Sequence, residues 1–591
     1  MRLIRRFIWL LVLLCVYFIF WPGGTAISSS ILGTKHDLSA TGPGPIKALT
    51  ETRVCVFCHT PHNATPNSPL WNKEIRPQVY TLYTSSTLKA VMAQPTGPTK
   101  LCLSCHDGTI ALGTVANPAG GITMSGGSQI PQGSLSYFGV DLSSHHPVSF
   151  PYGASNPENN PELVPLPLLP SYLELGGTDA EIHCTTCHNP HDNTFGSFLV
   201  MDNSYSTLCK TCHQMTGWNV SSHSTIVQGC EVCHTPHFAL DVPLLRYTSA
   251  DYCLSCHSPV PPPPQPPVHG NTVSSSTSTA SAAAPLNAAK TTSVSTQIRK
   301  WSAHHLQLGT AGSQRQRDMG RYRNASPSVT CTDCHNPHAV NSRKASAANV
   351  SGRLQGVSGV DRNGLRVLTA RYEYEICFKC HSEYPYNITY ISRVVSTSNK
   401  RLAFDPSNPS YHPVVSMGRT ATVPSIPSPL QPGVSISSII LCTDCHKDDA
   451  GGGKGPHGSS YAPILGERYE TTDNTPESYQ AYALCYRCHN RTSILSDASF
   501  QKKIAKTTKT GGGHSGHLAT GATCSACHDP HGVTFSGGAG TGDHTHLINF
   551  DVRIAAPKPG NRYPVFAQKG FFSGSCTLVC HNVAHNNWSY P

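Results

Sequence analysis

The 591-residue chain has little with which to build an ordinary core: 38% of its residues are hydrophobic, 8% aromatic and 13% charged, and only seven are methionine. For a chain long enough to hold several domains, this is too little apolar side chain for conventional packing. Something other than aliphatic burial must hold it together. Glycine (49) and proline (47) make up about a sixth of the chain, above ordinary usage but below the level that alone signals disorder. After the N-terminus no segment is apolar enough to span a membrane. Lysine and arginine exceed aspartate and glutamate, 43 to 33. They are scattered and no nucleic-acid motif accompanies them, which excludes nucleic acid as a partner.

The single long apolar run extends from Phe7 to Trp21, behind Arg2, Arg5 and Arg6 and ahead of Pro22-Gly23-Gly24-Thr25-Ala26. It reads as a secretory signal over residues 1–26, cleaved after Ala26. The run is shorter than the roughly 20 residues that cross a bilayer, so an uncleaved anchor is the weaker alternative. Cys15 follows the large Leu14, where a lipidation signal needs a small residue. The three signal arginines account for part of the formal charge of +10, leaving +7. The expected address is the periplasm, the outer surface or the extracellular space, with membrane contact only through the signal.

What the chain has in quantity is cysteine. Of 25 cysteines, Cys15 lies in the signal, and the other 24 form twelve close pairs, each followed at once by histidine. Eleven are CxxCH: Cys55/Cys58/His59, Cys102/Cys105/His106, Cys184/Cys187/His188, Cys209/Cys212/His213, Cys230/Cys233/His234, Cys253/Cys256/His257, Cys331/Cys334/His335, Cys377/Cys380/His381, Cys442/Cys445/His446, Cys485/Cys488/His489 and Cys524/Cys527/His528. The twelfth, Cys576/Cys580/His581, has one extra residue and demands a bulged loop. Two thiols at this spacing form thioethers to the two vinyl groups of one haem, and the adjacent histidine reaches the iron from the same side. Structural zinc and disulfides also use cysteine pairs, but neither requires a histidine after every pair. The spacing therefore predicts about 12 covalently bound haem c groups, whose propionates would absorb the modest positive charge.

Twelve of the 32 histidines lie in the motifs, leaving 20 as a surplus over the twelve second ligands needed. Neutral imidazole is a strong ligand for iron. Five motifs run into proline and another histidine: His62, His191, His237, His338 and His531. Proline fixes the turn and aims this imidazole away from its own iron, so it is expected to ligate a neighbouring haem rather than sit on the surface. His146 in HHPVSF and His412 in YHPVVS share a pattern and are candidates, followed by His36, His223, His304, His457 and His517. His145, His305 and His514 are candidates of the same standing as this last group, and His183, His269, His544, His546 and His585 have no assignment. Gly451–Gly455 is not a phosphate loop, because no Ser or Thr follows Lys454 and no strand precedes it.

A proline run at 259–267 followed by Ser, Thr and Ala to Lys300 reads as a linker over 259–300. It divides the motifs into an N-terminal hexahaem lobe at 27–258 and a C-terminal one at 301–591. Within each lobe the unit is a motif, x-Pro-His, an apolar stretch such as Phe198–Met201 or Val242–Leu245, and a second motif. Helical periodicity is scarce, with Ser478–Leu484 the best candidate, and strand signals are few and short. The expected fold is mostly irregular coil with short α-helices and few short strands, wrapped around a closely packed haem array that serves as the hydrophobic core.

CVFCHTPH, CHNPH and the paired-motif unit resemble the doubled-CxxCH multihaem cytochromes exported by metal-reducing bacteria, over nearly the whole mature chain. The resemblance implies bis-histidine haems stacked in a wire for periplasmic or extracellular electron transfer, sometimes in filaments or outer-membrane conduits. It matches His62, His191, His237, His338 and His531 to the family's distal position. The expected partners are other cytochromes or extracellular acceptors such as metal oxides, with self-assembly into filaments as an alternative. Closed irons favour an electron carrier over an enzyme, so no catalytic residue is expected. About 47 residues per haem are too few to insulate neighbours. The competing function is a multihaem reductase or oxidase of a small nitrogen or sulfur compound, with one open-site haem.

Overall fold

Each regular CxxCH motif winds about one turn of helix and then stops. In chain order the helices begin with α1 (Gly97–His106), with proline in its first turn, α2 (Cys184–Cys187), α3 (Thr207–Cys212), α4 (Ser249–His257) and α5 (Cys331–Cys334), of which α1 and α4 start well before their motifs. Then follow α6 (Glu373–His381), α7 (Cys442–Cys445) and α8 (Ala483–Tyr486). After α9 (His514–Ala519), which holds no cysteine, comes α10 (Cys524–Cys527). The motifs at Cys55 and Cys230 form tighter turns over Cys55–Phe57 and Gly229–Val232. The stop has a local cause where proline follows. His188, His335 and His528 take extended backbone (φ −124°, −125° and −104°), and the proline two residues on holds the chain out of the helix. In both CTDC segments the third helical residue caps the turn. Asp333 Oδ2 accepts from Thr330 N at 2.7 Å, and Asp444 Oδ2 from Leu441 N at 2.8 Å.

The computed structural model describes residues 30–64, 70–85, 87–155, 160–246, 249–258, 294–304, 329–383, 391–420, 422–426, 435–449, 455–500, 513–534 and 538–590. The signal segment, linker residues 259–293, Gly451–Lys454, His269 and His305 lie outside them. The architecture is the irregular one expected: coil, short helices and small antiparallel ladders, with no barrel among the described residues. Most ladders are two residues long, such as Lys47–Ala48 with Met124–Ser125 and Ser302–Ala303 with Gly458–Ser459. The predicted helix at Ser478–Leu484 starts later than expected: α8 begins at Ala483, and Ser478 Oγ instead caps the preceding turn by accepting from Ala481 N.

The C-terminal sheet is longer than the sequence suggested. It contains β1 (Ala555–Ala556), β2 (Val565–Gly570), β3 (Ser573–Cys580) and β4 (Val583–Tyr590), in the order β1-β3-β2 with β4 on β3.

Apolar burial is divided into small clusters of three to five residues rather than gathered in one core. Motif cysteines sit on the rims of six of them: Cys212, Cys334, Cys442, Cys485 with Cys524, Cys527 with Cys576 and Cys580, and Cys58. That is the distribution expected if a large apolar group on those thiols completes each cluster.

Two compact units contain the described residues: 30–214 with 236–238, and 215–235 with 239–590. This division differs from the two lobes predicted on either side of 259–300. Residues flanking the linker belong to one unit: the Cys253 and Cys331 thiols hydrogen-bond each other, Ser258 Oγ lies 2.9 Å from Ser295 Oγ, and His223 Nδ1 lies 3.0 Å from Pro337 O. Residues 294–297 form a short helix, so the later part of the predicted linker is ordered chain.

The Asp caps give a local test. In D444A the Leu441 N–H loses its acceptor, and the free energy of opening this turn should fall by about 1 kcal/mol. Amide hydrogen exchange over 441–446 would read that fall, with residues distant from α7 unchanged.

Candidate haem-binding sites

One helical turn sets the chemistry of each regular motif. The histidine N–H donates to the carbonyl of the first cysteine, at 2.8 Å in His59 to Cys55 and 2.9 Å in His188 to Cys184, His335 to Cys331 and His528 to Cys524. Residues i, i+3 and i+4 of a turn share one face, so both thiols and the imidazole present themselves together. After the turn the chain comes back. Val200 N donates to Cys187 O, Arg246 N to Cys233 O, Gly466 N to Cys445 O and Asn549 N to Cys527 O, at 2.8–3.0 Å. The residue before each returning N–H is bridged to the motif histidine, as in His188–Leu199, His234–Leu245, His446–Leu465 and His528–Ile548. The reversal puts an apolar residue in the left-handed region every time: Phe198 (φ 56°), Leu244 (54°), Ile464 (54°) and Leu547 (59°). Phe198 then stacks on His36 with ring centres 4.2 Å apart.

The same return supplies a carbonyl to the histidine ring. His188 Nδ1 faces Ser197 O at 2.9 Å, His234 Nδ1 faces Pro243 O at 3.0 Å, His446 Nδ1 faces Pro463 O at 2.9 Å and His528 Nδ1 faces His546 O at 2.9 Å. His106 and His335 find Ser136 O and Arg353 O at 2.8 Å. A carbonyl only accepts, so each Nδ1 carries the proton and donates, and Nε2 keeps the lone pair that a metal requires.

The described histidines then come in twelve facing pairs, with ring centres 6.0–6.3 Å apart. Eleven contain one motif histidine each. They are His59–His191, His106–His36, His188–His237 and His213–His146 in the first unit. In the second unit they are His234–His338, His257–His223, His335–His457, His381–His304, His446–His531, His489–His412 and His528–His514. Two imidazoles bound to one metal at about 2 Å each, with ring centres about 1 Å behind the nitrogens, stand about 6 Å apart. An unligated pair of rings has no reason to repeat that spacing.

The pairing follows a rule. In four cases the x-Pro-His histidine after one motif faces the histidine of an earlier motif: His191 reaches back to His59, His237 to His188, His338 to His234 and His531 to His446. The proline before it also serves the next site. Pro190, Pro337, Pro456 and Pro530 carbonyls accept from the Nδ1 of His36 (3.3 Å), His223 (3.0 Å), His304 (2.8 Å) and His412. Pro236 O accepts the backbone N–H of His146 at 2.7 Å. The segments at Pro190, Pro337, Pro456 and Pro530 thus each place one imidazole directly and hold a second through the proline carbonyl.

Among the predicted candidates, His36, His146, His191, His223, His237, His304, His338, His412, His457 and His531 stand opposite motif histidines. His62 does not. It is exposed and enters none of the pairs among the described residues. His517 faces His585 rather than a motif histidine. His514 stands opposite a motif histidine, and its three-residue spacing from His517 puts both on one face of α9; sequence reasoning left His585 unassigned. Some spare histidines have other work. His183 is buried with Nδ1 3.0 Å from Thr99 Oγ1 and Nε2 3.2 Å from Glu181 Oε2, and His145 Nδ1 lies 3.3 Å from His237 Nδ1.

Burial holds five of the paired imidazoles neutral. It pushes His381, His489 and His528 down to about 4, and His237 and His514 to about 3. The same burial pushes the Cys58, Cys187, Cys334, Cys485 and Cys527 thiols up to about 12, the reverse of a thiolate held for metal binding. Among the described residues no group of three or more His, Cys, Asp or Glu is arranged to hold a bare metal ion, and the cysteines are free of disulfides. Consecutive motifs are close to one another. Cys102 and Cys184 hydrogen-bond thiol to thiol, as do Cys377 and Cys442.

Two of the motif cysteines differ from the rest in exposure. Cys55 and Cys256 are exposed, whereas the other motif cysteines are half-buried. Cys256 lies in the last turn of α4, two residues before the described segment stops at Ser258, so little described chain packs against it. Its partner Cys253, one turn earlier, is sheltered by the Cys331 thiol. At Cys256 and Cys55 the chain leaves the thiol open.

Paired free thiols with two facing imidazoles about 6 Å apart are what a covalent haem site requires, and the residues present fit that group. The profile of the doubled CXXCH motif family matches residues 178–217 and 223–261. The chain is 24% identical over 173 residues to a protein named multiheme cytochrome MtrA from Shewanella baltica (strain OS185). That overlap covers 27% of this chain and 36% of the relative, so the chain spans about a third of the relative's length. The profile match and this similarity support a multihaem cytochrome family for the chain.

The two x-Pro-His extremes are distinguishable by spectroscopy. In H191A, the haem at His59 should lose a ligand, become high-spin and bind carbon monoxide when reduced. H62A should leave every haem low-spin and unreactive.

Proposed function

We propose that this cytochrome is a dodecahaem electron carrier in which every iron is closed by two histidines. The observation that carries the reading is the uniform 6.0–6.3 Å ring separation in twelve histidine pairs. Haem c, when bound, supplies a one-electron ferric/ferrous couple.

The chain's own residues do the rest. The cysteine thiols anchor each haem through two covalent bonds, so its position does not depend on affinity. The facing imidazoles would hold the haem iron from both sides and leave no place for substrate on it, so the chemistry the haem would supply is electron exchange. Main-chain carbonyls fix the tautomer and ring direction through Nδ1. Thiol contacts such as Cys102–Cys184, Cys253–Cys331 and Cys377–Cys442 bring the attachment points of successive haems together within each unit. Electrons can therefore hop between neighbours.

The protein acts outside the inner membrane, passing electrons to other cytochromes or to extracellular acceptors. The reading at residues 1–26 and the similarity to a protein named as a multihaem cytochrome support this address and these partners. Among the described residues no helix is long and apolar enough to cross a membrane.

Intact mass with optical spectroscopy tests the proposal. The mature protein should carry twelve haem increments and lack residues 1–26. Its ferric spectrum should be wholly low-spin, and the reduced protein should not bind carbon monoxide. A native high-spin haem would overturn the closed-iron reading and favour a reductase or oxidase.

A further inference from the structure

We infer that the twelfth haem, attached through Cys576 and Cys580, is ligated by His585 and His517, and that His581, the histidine of its own motif, is not a ligand. This rests on the reading that the motifs carry haem.

The eleven regular motifs work because a helical turn gathers both cysteines and the next histidine on one face. The twelfth is not on a helix. Cys576 and Cys580 lie in β3, where alternate residues share a face, so Cys576, Leu578 and Cys580 point one way and the position after Cys580 would point the other. Even in a helix, the inserted residue would rotate the histidine by a further 100° or so from its usual place.

The local turn removes His581 further. Cys580 pairs with Val583, so His581 and Asn582 are the two residues of the β3–β4 turn, with φ of 48° and 62°. Positive φ at both positions is the signature of the tight hairpin turn that matches strand twist. In this conformation His581 Nε2 lies 2.9 Å from Asp473 Oδ1, so the nitrogen left free for a metal in the regular motifs is committed to a carboxylate. His581 is also absent from the 6.0–6.3 Å pairs.

His585 has the properties that His581 lacks. It stands directly opposite Leu578 across the β3–β4 ladder, and opposed residues share a face. It therefore lies on the same face as the two cysteines, across the strand from the residue midway between them. Its ring faces that of His517 at 6.1 Å, the separation of the other eleven pairs, with 24° between planes. His517 Nδ1 donates to Gly513 O at 2.6 Å, which leaves Nε2 for a metal. α9 then serves two sites: His514 faces His528 and His517 faces His585. Trp588, opposite Cys576, packs on His585 with ring centres 5.0 Å apart.

The test uses the full-length, haem-loaded protein. In H585A, one haem of the twelve should become high-spin, bind carbon monoxide on reduction, and return to low-spin with added imidazole. An entirely low-spin, carbon monoxide-inert H585A would overturn the assignment. If H585A fails to retain the haem, H585M decides: a His/Met-ligated haem supports the inference, and an unchanged all-bis-histidine spectrum refutes it. H581A that keeps all its haem should stay low-spin, whereas a new carbon monoxide-binding haem there would refute it. The mass of the peptide bearing Cys576 and Cys580 separates the two levels of the argument. A haem-free peptide overturns the twelfth site itself and with it the count of twelve. A haem-bearing peptide with a ligand-loss signature in H581A overturns only the choice of His585.

Discussion

The bond from imidazole Nδ1–H to a main-chain carbonyl is the interaction on which the rest of this structure depends. A histidine that can rotate or change tautomer is a poor axial ligand, and a chain with small, scattered apolar clusters cannot lock a ring by packing alone. The backbone does it instead. Carbonyls of Ser136, Ser197, Pro243, Arg353, Pro463 and His546 each accept from a motif histidine. For the opposing histidines the acceptors are often proline carbonyls, a natural choice because proline's fixed φ holds its carbonyl in a set direction.

This division of labour explains the composition. Proline orients carbonyls, and glycine together with left-handed Phe198, Leu244, Ile464 and Leu547 reverses the chain sharply enough to return it to the motif. Long helices and sheets would serve neither purpose. Each paired x-Pro-His couples two sites, one through its imidazole and one through its carbonyl. Because it reaches back to an earlier motif, each such segment is a tie between sites distant in sequence, and the tertiary structure becomes a set of such ties rather than a core.

The C-terminus shows what happens when the local rule is broken. The extra residue between Cys576 and Cys580 suits a strand, and a strand separates the motif histidine from its cysteines. The ladder compensates by offering His585 from the neighbouring strand, at the separation kept elsewhere by helical turns.

Much of this was legible in the sequence. Cysteine pairs followed by histidine specify their own chemistry, because the spacing of two thiols and an imidazole over one turn is a local property. The recurrence of x-Pro-His marked several of the opposing histidines for a similar local reason, and the scarcity of apolar residues foretold an irregular fold. Which histidine meets which could not be read, nor that Cys55 and Cys256 would lie open while their counterparts are sheltered. That is decided by returns of the chain over tens to more than a hundred residues, as His223 meets the Pro337 carbonyl and His412 that of Pro530. The same long-range ties placed both flanks of the proline-rich stretch in one unit, and among the described residues His62 has no opposing ring. In the last motif, only the pairing of two strands could show that His585, rather than the adjacent His581, shares a face with the cysteines.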